Sequence, residues 1–171
     1  MLNAGTPTGY SAAGEVVAIG DMVEGFSVGD MVACAGAGIA NHAEYIAVPV
    51  NLAVKIPDGL STAESSTVTL GAIAMQGVRR ASPTLGETWV VVGLGILGQI
   101  TEQLLRAHGC RVIGIDIDPK RIAIAQEMGM QAGIDPTTED VAKKAHILSD
   151  GFGADGVIIT AAASENHDII A

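Results

Sequence analysis

The sequence predicts an α/β protein, a partial doubly wound parallel sheet preceded by a shorter all-β piece, and three observations carry this. From Trp89 onward, apolar runs alternate with helical patterns, the order that builds a parallel sheet. Residues 11–56 read instead as short strands separated by turns. Between the two, Ser61-x-x-Glu64 is a capping box that opens a helix. The expected division is a β domain over residues 1–60 and a nucleotide domain with its linker helix over 61–171.

The β piece is expected to run through Gly14–Ile19, Phe26–Asp30, Met31–Cys34, Ala43–Val50 and Leu52–Ile56, and Pro57-Asp-Gly59 ends it. The capped helix is expected to reach about Ala81, with Met75 in the core. Trp89-Val-Val-Val is the first parallel strand. The next helix carries Leu97, Ile100, Leu104 and Ala107 as its apolar face and Gly109 as its stop. A second strand, Cys110–Ile115, leads to a helix with Asp118 as N-cap and Pro119 at its first position. Its inward residues are Ile122, Ala125 and Met128, and Gly129 ends it. A further helix is expected from about Thr137, with Val141, Ala145 and Leu148 on one face, and Val157–Thr160 is expected as the fourth strand.

Composition narrows the function. The chain is 49% hydrophobic, enough for a sizeable core, and its few aromatics beside abundant Gly, Ala, Ile and Val suit tightly packed parallel strands. A net charge of −10 without a cluster of Lys and Arg argues against nucleic-acid or anionic-membrane surfaces. Cys34 and Cys110 stand apart in apolar contexts, the pattern of buried free thiols in a reducing compartment. With no basic segment leading an apolar stretch, a cytoplasmic location is expected.

The chemistry-bearing motif is Gly93-Leu94-Gly95-Ile96-Leu97-Gly98. It follows a strand, opens a helix, and is answered 18 positions after Gly98 by Asp116 at the end of the next strand. In that context a G-x-G-x-x-G predicts a Rossmann dinucleotide site. Gly93 permits the sharp exit from the strand, Gly95 admits a pyrophosphate to the backbone, and Gly98 lets helix and sheet approach. The phosphates would lie at the positive end of the helix. The Asp116 carboxylate can accept both ribose hydroxyls and repel a 2′-phosphate, so the expected cofactor is NAD. A plain Gly-rich turn with a solvated acid is the competing reading.

Ser11-Ala-Ala-Gly14-Glu-Val-Val-Ala-Ile-Gly20, with Phe26-Ser-Val-Gly29-Asp30-Met-Val and Ala43-Glu-Tyr45, resembles the medium-chain dehydrogenase/reductase superfamily, the zinc-type alcohol dehydrogenase relatives. Asn41-His-Ala-Glu-Tyr45, Thr69-Leu-Gly-Ala-Ile73 and Gln76-Gly-Val-Arg-Arg80 are similar to its branch of two-part oxidoreductases. The resemblance implies a GroES-like catalytic-domain piece at the N-terminal side and hydride transfer between NAD(H) and a hydroxyl or carbonyl carbon of a small molecule. It also implies a homo-oligomer or a covalently linked further domain. Both domains would then be partial, and the 171 residues alone are expected to bind NAD weakly, turn over nothing and self-associate through uncovered strands. Arg121 matches a basic position that reaches the adenosine ribose in the family; a solvated first-turn Arg is the alternative.

Two departures bear on catalysis. Where zinc-using relatives carry G-H-E-x-x-G, this chain has Gly9-Tyr10-Ser11-Ala12-Ala13-Gly14, so Tyr10 replaces a metal ligand, and a phenol is a poor substitute for imidazole. Gly71 is followed by Ala72 where many relatives have a ligating Cys, and no closely spaced cysteines mark a structural zinc. No metal is therefore expected. Tyr10 is a candidate general acid, or a ring that fills the space of a lost metal site; His42 is a candidate proton relay, or a solvated loop residue. The rival readings are a nucleotide-binding module without catalysis and a zinc-dependent alcohol or polyol dehydrogenase relative with degenerate ligands.

Overall fold

A computed structural model describes residues 8–162, which form two compact units dividing between Ala72 and Ile73. In the first unit, β1 (Ser11–Glu15), β2 (Met31–Ala35) and β3 (Ala53–Lys55) make an antiparallel sheet in that order. Ser11 lies opposite Ala35, and Val32 opposite Lys55. Val32, Cys34 and the fully buried Ala40 form the small core, covered by Phe26, Ile46 and Val48.

Several expectations for this unit need correction. β1 begins at Ser11 and ends at Glu15, although Val16 continues the pairing through its N–H to Asp30 O at 2.9 Å. Residues 26–30 are a turn, closed by the Ser27 N–H on Asp30 Oδ2 at 2.7 Å. Ala43–Val50 is not a strand, because no described strand runs beside it to accept a ladder. The capped helix is interrupted, giving α1 (Thr62–Ser65) and α2 (Val68–Ala81). The capping box is present, with Ser61 Oγ accepting from Glu64 N and the Glu64 carboxylate accepting from Ser61 N. The break falls where Ser66 and Thr67 turn their hydroxyls back onto Ala63 O and Glu64 O, the competition by which such side chains loosen helices.

In the second unit β4 (Thr88–Val92), β5 (Arg111–Ile115), β6 (Ala132–Ile134) and β7 (Gly156–Ile159) form a parallel sheet ordered β6-β5-β4-β7. The chain steps outward from β4 to β6 and returns to place β7 on the other side of β4, so the direction reverses at β4. Such a reversal opens a crevice at the strands' carboxyl ends. α3 (Ile96–Ala107), α4 (Pro119–Glu127) and α5 (Val141–Leu148) connect the strands. Asp118 caps α4 by accepting from Lys120 N, and Gly109 and Gly129 stop α3 and α4 at φ of 88° and 103°.

Here too the details depart from pattern. The buried face of α3 is Gly98, Thr101, Glu102 and Leu105, one position displaced from the expected row; Leu104 only flanks the core and Ala107 is exposed. The cause is Gly98: a Cβ there would overlap the Gly93 carbonyl, so the helix meets the sheet along the glycine seam. Met75 and Met128 are exposed, and Met130 occupies the core instead. α5 starts at Val141 with Asp140 as cap, because Asp135 draws residues 137–139 into a turn by accepting from Thr137 N at 2.9 Å and Thr137 Oγ1 at 2.6 Å. β6 is only three residues long, too short for periodicity to reveal. Both cysteines are buried and unpaired. Among the described residues no helix is long and apolar enough to cross a membrane.

The displaced row puts Glu102 inside: it is fully buried, neither carboxylate oxygen has a hydrogen-bond partner, and Arg106 Nη1 stands 3.5 Å away. Burial pushes this carboxyl up, and Arg106 opposes that only partly. A raised acid favours the folded state where it is protonated and costs stability as pH rises through its shifted value. Glu102→Gln is therefore expected to raise the thermal midpoint near pH 7 and to leave it nearly unchanged near about pH 3, where glutamate is almost fully protonated in both states. Equal gains at both pH values would show that ionisation is not the cause.

Candidate functional site

The second unit assembles the glycine loop at the reversal point. Gly93, at φ 91°, turns the chain out of β4, and a Cβ there would strike Ala161. The Leu94 side chain is buried against Gly114, which leaves its N–H directed at Asp116 Oδ2, 2.6 Å away. Gly95 is the N-cap of α3 and has no side chain to cap it, so no protein side chain competes for the first N–H groups of the helix. Space beyond Gly95 is open: nothing lies within 4 Å of the position a Cβ would take. Ile96 is exposed beside it, while Leu97 is half-buried and accepts from Thr101 Oγ1. An uncapped helix start with a clear approach is the geometry that receives a pyrophosphate, so these residues fit a dinucleotide.

Asp116 is itself buried, yet it is well supplied with donors. Oδ2 accepts from Leu94 N, Oδ1 accepts from Asp118 N at 2.8 Å, and Arg121 Nη1 lies 3.6 Å from Oδ2. The glycine loop, Asp116 and Arg121 thus form one cluster. Two residues that carry no motif hold it. Gln99 Nε2 donates to Leu94 O at 3.2 Å and to Arg121 O at 2.9 Å, and Thr160 Oγ1, just past β7, donates to Gly93 O at 2.6 Å.

The first unit holds a pocket of about 590 Å³. Tyr10 and His42 line it together, although they are 32 positions apart in sequence. Two backbone bonds bring their segments together: His42 N donates to Thr8 O at 2.8 Å, and Gly36 N to Tyr10 O at 2.9 Å. The His42 ring lies against Gly9, where any Cβ would overlap it. Ser11, which follows Tyr10 in the segment set against G-H-E-x-x-G, donates to Ser66 O at 2.5 Å and accepts from Thr69 N at 3.3 Å, so it secures the start of α2 beside the pocket. Asn41, Ala13, Thr67 and Leu70 complete the wall.

As a zinc site this wall does not fit. It offers one imidazole, a phenol and an amide, and no carboxylate or thiol. Among the described residues no three His, Cys, Asp or Glu side chains stand close enough to hold a metal ion.

Comparison with known proteins agrees with both halves. Residues 2–58 match the alcohol dehydrogenase GroES-like domain and residues 97–168 the zinc-binding dehydrogenase domain. The D-guloside 3-dehydrogenase of Escherichia coli (strain K12) is 34% identical over 89% of this chain and 43% of its own length. The quinone oxidoreductase of Pseudomonas syringae pv. Tomato DC3000 superposes with a TM-score of 0.73 at 31% identity, covering 87% of this chain and 47% of that one. A mycobacterial protein solved with NADPH gives a TM-score of 0.76 at 28% identity, covering 87% of this chain and 48% of its own. The chain spans about half the length of these relatives.

The glycines differ in what a methyl would do. Gly95 has φ −65°, which alanine adopts without strain, and open space around it. Gly95→Ala is expected to keep the thermal midpoint and circular dichroism of the parent while weakening NADH binding about tenfold or more. Gly98→Ala is expected to unfold or loosen the domain, since its methyl meets backbone. Unchanged NADH affinity in a folded Gly95→Ala protein would remove this loop from the cofactor site.

Proposed function

Since the chain belongs to the medium-chain dehydrogenase/reductase superfamily, and the proteins it resembles include a dehydrogenase and a quinone oxidoreductase, we propose that it is the NAD(H)-binding portion of an alcohol dehydrogenase-like oxidoreductase, working without catalytic zinc. It moves hydride to or from a hydroxyl or carbonyl carbon. The observation that carries this is the Asp116 carboxylate fixed against the glycine loop by the Leu94 N–H at 2.6 Å. The nucleotide, when bound, supplies the hydride chemistry. Gly93 to Gly98 and the start of α3 receive its phosphates, and Asp116 accepts the adenosine ribose hydroxyls with its unused lone pairs.

NAD is favoured over NADP because a 2′-phosphate would meet the Asp116 charge; Arg121 softens that charge without removing it. Tyr10 and His42 are the candidates to hold or relay the proton that accompanies hydride transfer in the first unit's pocket. The donor set of that pocket supports a metal-free reaction, and the two-part branch of the superfamily is the assignment we favour. Because the relatives are about twice as long, the 171 residues alone are expected to bind NADH weakly and to turn over nothing.

Calorimetric titration of NADH and NADPH, with turnover on a panel of alcohols and carbonyl compounds, tests the reading. NADH binding without any turnover by this chain extended to the length of these relatives would favour a nucleotide-binding module that has lost catalysis. Asp116→Asn keeps an acceptor but removes the charge, and is expected to weaken NADH about tenfold while narrowing its advantage over NADPH, as loss of a charge-assisted bond of ~1.5 kcal/mol implies. Equal affinity of the unaltered protein for both nucleotides would refute the NAD preference. Metal analysis of untagged protein is expected to find no stoichiometric zinc; zinc lost on Tyr10→Phe or His42→Ala would overturn the metal-free reading.

A further inference from the structure

Three Asp-Gly pairs occur in the sequence, Asp58-Gly59, Asp150-Gly151 and Asp155-Gly156, and none belongs to the glycine loop or lines the first unit's pocket. Such a pair carries its own reactivity, because a glycine nitrogen, with no Cβ beside it, can attack the side-chain carbonyl carbon of the aspartate before it. The reaction needs a carboxyl group free to swing toward the nitrogen and a nitrogen that no hydrogen bond holds.

Asp150 and Asp155 lack that freedom. Asp150 Oδ2 accepts from Arg111 Nη1 at 2.8 Å and the Gly151 N–H donates to His146 O at 2.8 Å, so both reactants are tied. Asp155 Oδ2 accepts from Thr88 N at 2.8 Å while its own N–H donates to Thr88 O at 2.8 Å. Gly156 is fixed in β7 opposite Trp89, whose ring fills the space a Cβ there would take. Neither carboxyl can turn back on the chain without breaking these bonds.

Asp58-Gly59 is different. It sits in the turn between β3 and α1, which Leu60 N closes on Pro57 O at 3.3 Å. Both residues are exposed. Among the described residues the Asp58 carboxylate has no hydrogen bond or ion pair, and the Gly59 N–H has no acceptor. Gly59 stands at φ 91° with nothing within 4 Å of the position a Cβ would take, so no neighbour crowds it.

We propose that Asp58 is a site of spontaneous covalent modification, converting to isoaspartate through a succinimide while the protein is folded. The Gly59 nitrogen bonds to Asp58 Cγ and gives up its proton, and a side-chain oxygen leaves as water. Water then opens the ring. Addition at the side-chain carbonyl restores aspartate, whereas addition at the main-chain carbonyl breaks that carbon's bond to the Gly59 nitrogen. The chain then runs through Cγ, with the α-carboxylate as its side arm. Nothing is oxidised or reduced, and water is the sole co-reactant. That α-carboxylate is the group that isoaspartyl carboxyl methyltransferases esterify, so the aged turn is a substrate for that enzyme class. The added main-chain carbon lengthens the turn just ahead of Ser61, the cap of α1.

The test is ageing of the purified chain at neutral pH and physiological temperature, followed by peptide mapping and by labelling with an isoaspartyl carboxyl methyltransferase and its radiolabelled methyl donor. Isoaspartate is expected to accumulate at residue 58 while Asp150 and Asp155 stay unmodified. In denaturant, where all three pairs are free, the three are expected to convert at similar rates. Asp58→Glu keeps the charge but must close a larger ring that forms far more slowly, and is expected to lose the label from the native protein. The mapping of the unaltered chain decides the matter even if that variant does not fold. No isoaspartate at residue 58, conversion of Asp150 or Asp155 as fast as Asp58 in the folded protein, or the same lead of Asp58 in denaturant would overturn the proposal, the last because sequence and not fold would then select the site.

Discussion

The second unit's working end depends on one bond, from the Leu94 N–H to Asp116 Oδ2 at 2.6 Å. β4 and β5 are parallel neighbours, so the loop leaving the first and the tip of the second emerge side by side. A carboxylate buried at that tip must find donors, and it finds them in the loop after β4 and in the Asp118 N–H that begins the next turn. The same contact fixes the glycine loop relative to the sheet. Gln99 then ties the loop's carbonyl to Arg121, and Thr160 ties Gly93 to the end of β7. Asp116 and the glycine loop are thus one mechanical unit, and disturbing the acid also loosens the loop.

That coupling sets the limit of what was legible. Features governed by local chemistry could be read directly: the capping box at Ser61 and Glu64, Asp118 with Pro119, and the glycine stops at Gly109 and Gly129 each act within a turn of the chain. Features that depend on a partner could not. Ala43–Val50 has the alternation of a strand, and Ile46 and Val48 do pack on the core, but no described strand pairs with it. The break between α1 and α2 depends on hydroxyls that bond backward, which composition leaves ambiguous. The apolar row of α3 was misplaced by one position because glycine, not leucine, determines which side of that helix can approach a sheet.

The candidate site divides the same way. The glycines and Asp116 were readable because the fold imposes their spacing. Thr160 was not, since it reaches Gly93 from 67 positions away and a lone threonine after a strand carries no signal. Asn41 was visible only as part of a resemblance. What distinguishes it is an unmet hydrogen bond, a property of burial and surroundings.

The lack of carboxylate and thiol donors in the first unit's pocket and the lack of Lys and Arg there go together. A carboxylate or thiolate lining a cavity is stable there when a cation balances it, and without one it would carry an unrelieved desolvation cost. In the segment that matches the metal-binding pattern, the acid's position is held by Ser11, whose hydroxyl is committed to Ser66 O and Thr69 N at the start of α2. The ligand's position is held by Tyr10, whose phenol offers one O–H donor and no anionic oxygen from a carboxylate. On the metal-free reading no metal cation stabilises an alkoxide, and charge developing on the substrate oxygen must be met by a phenol O–H or an imidazole.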